Sequence, residues 1–130
     1  MSKADSEFEI TRGVRRRNSL VWVFEPLERD PSYVAARMFG CDTAYLDGKL
    51  CLGVVERDEP WNGLLVCTSK EHHEALIEDV PGLRAHPVLG KWLYVSQADQ
   101  AFGDCVDQVT ALVLARDARI GVEPKPRKRR

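Results

Sequence analysis

Apolar positions along this chain change period several times, and each change marks an element. Leu20, Phe24 and Leu27 recur at helical spacing behind Asn18 and Ser19, either of which can cap a helix. The same LVWVF run also suits a buried strand, and Pro26 would cost about 3 kcal/mol inside an α-helix; helix is the reading adopted. Asp30-Pro31-Ser32 forces a turn. Strands follow over Tyr33 to Met38, Thr43 to Leu46 and Lys49 to Val55, with a break at Gly40 and a tight reversal at Asp47-Gly48. In a plain two-residue hairpin Leu46 faces Lys49, Ala44 faces Cys51 and Cys41 faces Val54. Leu50, Leu52 and Val54 then share one face with Thr43 and Tyr45, while Ala44, Leu46, Cys51, Gly53 and Val55 share the other. Both faces are largely apolar, so the sheet should be covered on most of its area.

The charged loop Glu56 to Asn62 leads to an apolar strand, Gly63 to Thr68. Thr68-Ser69-Lys70-Glu71 has the spacing of a capping box, and the helix it opens should run to about Val80, where Pro81-Gly82 stops it. Residues 83–90 read as irregular, and Lys91 to Ser96 as the fifth strand. A last helix begins near Ala98 or Asp99 and presents Phe102, Cys105, Val106, Val109, Leu112 and Val113 as one stripe. The order is α-β-β-β-β-α-β-α. Short connections between successive strands imply antiparallel pairing, hence an α+β two-layer sandwich with a sheet of about five strands covered by helices. Residues 18–121 form a single domain, residues 1–17 a flexible polar and basic arm, and 122–130 a disordered basic tail with two prolines and no apolar periodicity.

Composition changes this picture only at the edges. A chain of 130 residues is one domain, and its 44% hydrophobic and 30% charged residues are ordinary for a water-soluble globule. The run Leu20 to Phe24 is far too short to cross a bilayer, and MSKADSEFEITRG has no apolar core of a signal peptide, so a cytoplasmic location is expected. The net charge of −1 hides a segregation. Residues 1–20 carry five basic and three acidic groups, residues 116–130 seven basic and two acidic, and the stretch between seven basic and fifteen acidic. An acidic body with basic ends limits which surface can meet nucleic acid.

Candidate chemistry is sparse. Cys41, Cys51, Cys67 and Cys105 have neither a CxxC pair nor a His at metal spacing, so four buried thiols are expected; Cys41, beside a bend, is the best reactive candidate. Glu71-His72-His73-Glu74 suggests metal, but adjacent histidines on a helix diverge by about 100°, and no HExxH arrangement exists. His73 should be partly packed, His72 should face water, and His86 reads as a turn residue bonded to backbone. No nucleophile elbow, P-loop or dinucleotide glycine pattern is present, and no catalytic residue, cofactor or metal is assigned. Trp61 is a candidate partner anchor or a loop lid folded onto the sheet. Trp92 and Tyr94 share a face and line a groove or pack as core. The tail residues Lys125, Arg127, Lys128, Arg129 and Arg130 are candidate nucleic-acid contacts, which would be salt-sensitive and blind to sequence; a solubilising tail explains them equally.

Arg37-Met38-Phe39-Gly40, followed by Ala44-Tyr45-Leu46 and Asp47-Gly48-Lys49, resembles the start of the TfoX N-terminal domain family, in which an MFG motif leads into a Tyr- and DGK-containing hairpin. Phe24 to Leu27 and Lys91 to Val95 are similar to that family's first helix and last strand. The resemblance implies a small domain akin to the YjbR proteins and secretion chaperones, with Met38, Phe39, Gly40, Tyr45, Asp47 and Gly48 as structural motif residues and no catalytic residues. Founding members are linked to regulating natural competence. The expectation is thus a non-enzymatic protein-interaction or regulatory module that binds a protein partner or itself and no membrane. The alternatives are an accessory nucleic-acid binder acting through the tail and a small metal- or thiol-dependent enzyme.

Overall fold

The computed structural model describes residues 18–38 and 40–124. An antiparallel six-stranded sheet runs in the order β1-β2-β3-β4-β6-β5. Its strands are β1 (Val34–Met38), β2 (Cys41–Leu46), β3 (Lys49–Glu56), β4 (Asn62–Val66), β5 (Arg84–Ala85) and β6 (Leu93–Ser96). The α+β class expected from the sequence holds, with one strand more than anticipated. That strand, β5, is two residues long and pairs Arg84 and Ala85 with Tyr94 and Leu93. Two residues carry no readable period, so the 83–90 stretch looked irregular throughout.

Helices cover one face. The first is a 3₁₀ helix, Ser19–Leu27, rather than an α-helix; Asn18 caps it by accepting from the Leu20 N–H at 2.8 Å. The tighter winding accommodates Pro26 and still buries Leu20, Val23, Phe24 and Leu27. A short 3₁₀ turn, Lys70–His72, leads into α1 (His73–Asp79), and α2 (Phe102–Leu114) buries Phe102, Cys105, Val106, Val109, Thr110 and Val113. These side chains meet Ala44, Leu52, Val66 and Leu93, one row across β2, β3, β4 and β6, in the main core.

Two local expectations are corrected. The β2–β3 register shifts between Ala44 and Tyr45, which face Leu52 and Leu50, so Cys51 is an extra, bulged residue. Leu52 and Val54 therefore join Ala44 in the main core, while Gly53 and Val55 lie on the face of Thr43 and Cys41, the reverse of the plain hairpin reading. The capping box does not form either: Ser69 is the residue before the turn and makes no side-chain cap bond. The buried Thr68 hydroxyl instead donates to the Arg119 carbonyl at 2.6 Å. A long-range acceptor displaced the local one. β4 also ends at Val66, earlier than the apolar run suggested, although the Cys67 N–H still donates to the Cys51 carbonyl at 2.9 Å.

The segment after α2 is fastened back to the sheet. Leu50 and Val122 exchange backbone bonds of 2.9 Å, and the Gly121 N–H donates to the Cys67 carbonyl at 2.8 Å. Arg116 joins Asp30 and Asp47 at 2.9 and 2.6 Å, and Arg119 joins Asp79 and Asp117, each at 2.9 Å. Among the described residues no helix is long and apolar enough to cross a membrane.

Candidate functional site

Among the described residues, no helix lies over the second sheet face. Its row is Thr43, Gly53, Leu65 and Tyr94, with Cys41 and Val55 one pleat along. The loop between α1 and β6 folds across part of this face, and His86 holds it there. Nδ1 of His86 accepts the Val88 and Leu89 N–H groups, both at 3.0 Å, so Nε2 carries the hydrogen and donates to the Pro60 carbonyl at 2.7 Å. Its ring lies 4.4 Å from Trp61 and meets Tyr94 edge-on at 5.1 Å. One 1%-exposed imidazole thus joins two loops to the sheet.

Beside this clamp the described residues leave an apolar groove of about 400 Å³. Thr43, Gly53 and Leu65 form its base together with Cys41, and Trp61, Leu89 and Trp92 enclose it. Gly53 is what leaves the base deep, since the position carries no side chain between Thr43 and Leu65. Met38 and Arg57 complete the lining; the Arg57 guanidinium lies 5.8 Å from the Trp61 ring. A second depression of about 580 Å³ shares Met38, Leu89 and Trp92 and reaches Val122, Glu123 and Pro124. This volume and lining suit a ligand group that is apolar and bulky.

The ionisable groups nearby do not make a reactive set. Burial pushes the Cys41 thiol up, outweighing the opposing pull of Arg57, so at neutral pH it stays protonated. Burial likewise raises Cys51 and Cys67, and raises Cys105 to about 11. On the far side of Tyr94, the Glu59 carboxylate accepts from Ser96 Oγ at 2.5 Å and from the Tyr94 hydroxyl at 2.7 Å. Those bonds, Ser96 first, hold Glu59 below its usual range, while burial and then the bond to Glu59 push Tyr94 up to about 12. A carboxylate made less basic than usual is a poor proton acceptor for a serine hydroxyl. The trio instead ties the 57–62 loop to β6.

The sequence candidates disperse over this frame. Met38 lines the groove, and Gly40, at φ +77°, packs against the Arg57 guanidinium, where an added Cβ would lie 3.6 Å from it. Asp47 and Gly48, at φ 54° and 78°, form the hairpin turn, and Asp47 also pairs with Arg116. Tyr45 is half-buried on β2. Trp61 is half-buried as a groove wall rather than projecting. Tyr94 is core and Trp92 is wall, so both readings of that pair apply, one to each residue. His73 Nε2 bonds the Lys91 carbonyl at 2.8 Å, and His72 pairs with Glu71 at 3.2 Å. Among the described residues no three His, Cys, Asp or Glu side chains gather as a metal site. Phe39 and the basic residues Lys125, Arg127, Lys128, Arg129 and Arg130 lie outside the described residues. Arg57, Gly53 and Leu89 were not foreseen; no local pattern marks them, because only the pairing of distant strands brings them together.

Comparison with protein-family models finds no match, and no curated protein or solved structure matches the chain.

Proposed function

We propose that this chain is a non-catalytic protein-interaction module that receives a bulky apolar side chain of a partner protein in the groove on its second sheet face. The observation that carries the reading is the groove itself: two half-buried tryptophans and Leu89 stand around a base opened by Gly53, in a position a folded core would ordinarily fill. Large aromatic walls around a desolvated pocket are the usual anatomy of an interaction hot spot. The Cys41 thiol at the base, which burial holds protonated, supports a binding rather than a reactive role for the groove.

Selection from a display library of random peptides tests this, with binding followed by the emission of Trp61 and Trp92. Selected peptides should converge on one large apolar or aromatic residue. Gly53→Val should abolish their binding, since a Cβ there makes only ordinary contacts of 3.7–3.8 Å and the methyls beyond it enter the base of the groove. Peptides that show no apolar consensus, or that bind Gly53→Val equally, refute the proposal.

A further inference from the structure

The two edges of the sheet are built differently. At one end β5 has two residues and is followed within two positions by Pro87, so little backbone is offered to a further strand. At the other end β1 is five residues long, pairs among the described residues only with β2, and has no proline, while Val34 to Arg37 are all exposed. Val34 is 56% exposed. Natural edges are usually blunted by charge, proline or shortness; the sole charge on β1 is Arg37, which is drawn back onto Asp42 of β2 at 2.9 Å.

We infer that β1 pairs antiparallel with β1 of a second copy of this chain, about a two-fold axis through Ala36, to give a continuous twelve-stranded sheet. The parity of the strand supports that register. Ala36 turns its carbonyl towards β2, where it accepts from Thr43 Oγ1 at 3.1 Å. Alternation along the strand then directs the N–H and C=O groups of Ala35 and Arg37 to the open edge. About an axis at Ala36, Ala35 of each copy meets Arg37 of the other, and these two pairs exchange four backbone bonds. Val34 meets Met38 on the face of Thr43, so the exposed valine gains an apolar neighbour. Centring the axis on Arg37 would set the two guanidinium-bearing residues directly opposite, which is unfavourable. The Ala36 register uses all five residues and keeps each Arg37 on its own Asp42. An interface made by one strand per copy is small, so the association should depend on concentration.

Sedimentation of the full chain from about 5 µM to about 500 µM tests the inference. The mass should rise from 14.7 kDa towards twice that value. Ala35→Pro removes an outward N–H and spares the β1–β2 ladder, and Val34→Lys places a charge at the interface; each should hold the protein at the monomer mass across the series. Should Ala35→Pro not fold, Val34→Lys, at an exposed position, still decides. Ala36→Cys places two thiols across the axis at a spacing a disulfide can span, so mild oxidation should give a covalent dimer that Val34→Cys does not. A monomer at every concentration, a dimer that Val34→Lys leaves intact, or equal cross-linking at both positions would overturn the assignment.

Discussion

Replacing His86 tests whether one imidazole fastens the loops that shape the groove. In His86→Ala, two backbone N–H groups and the Pro60 carbonyl lose partners held at 2.7–3.0 Å. Each lost bond is worth about 1 kcal/mol, with the exposed loop letting water replace part of it. Removing a ring packed between Trp61 and Tyr94 adds a cavity cost of about 1–2 kcal/mol. The sum is about 4 kcal/mol, which for a domain of this length lowers Tm by roughly 10–20 °C. His86→Asn separates bonding from volume, because its side-chain oxygen can still accept from Val88 and Leu89; about half of the loss should return. Urea unfolding followed by tryptophan emission and by circular dichroism measures both. A His86→Ala protein within about 1 kcal/mol of the parent, or an Asn variant no better than Ala, would refute the reasoning.

Thr68→Val should cost about 1–2 kcal/mol by leaving the Arg119 carbonyl without its 2.6 Å donor, whereas Glu71→Ala should change stability by less than about 0.5 kcal/mol; chemical denaturation of the pair distinguishes the tertiary bond from the capping box the sequence suggested. Tyr94 supplies a pH test. An unfolded phenol releases its proton near 10, whereas the folded one holds it to about 12, so its contribution is fully present below pH 10 and lost as pH rises to 12. Over that interval the urea midpoint of Tyr94→Phe should fall less steeply than the parent's; identical slopes would count against the shift, since the raised thiols are common to both proteins.

Much of the fold was legible because its elements are written locally. The Asp47-Gly48 reversal, the stripe from Phe102 to Val113 and the stop at Pro81-Gly82 each depend on neighbours in the chain, and each lies where the pattern put it. What escaped depends on distance. The bulge at Cys51 inverts the face of Leu52, Gly53, Val54 and Val55, yet one inserted residue leaves an alternating apolar run looking uninterrupted. Thr68 met a carbonyl 51 positions away before it met its own helix. The groove was least visible of all. Its glycine base, its Arg57 and its Leu89 come from separate segments, and nothing in any one of them distinguishes a wall from a core residue. His86 was readable as a backbone-bonded turn residue, but not as the joint between two loops.

The reciprocal Leu50–Val122 bonds have a consequence for whatever follows them. They bring the chain out at Pro124, on the rim of the depression that adjoins Trp92 and Leu89. Val122, Glu123 and Pro124 therefore owe their place on that rim to a pair of backbone bonds rather than to a strand of their own.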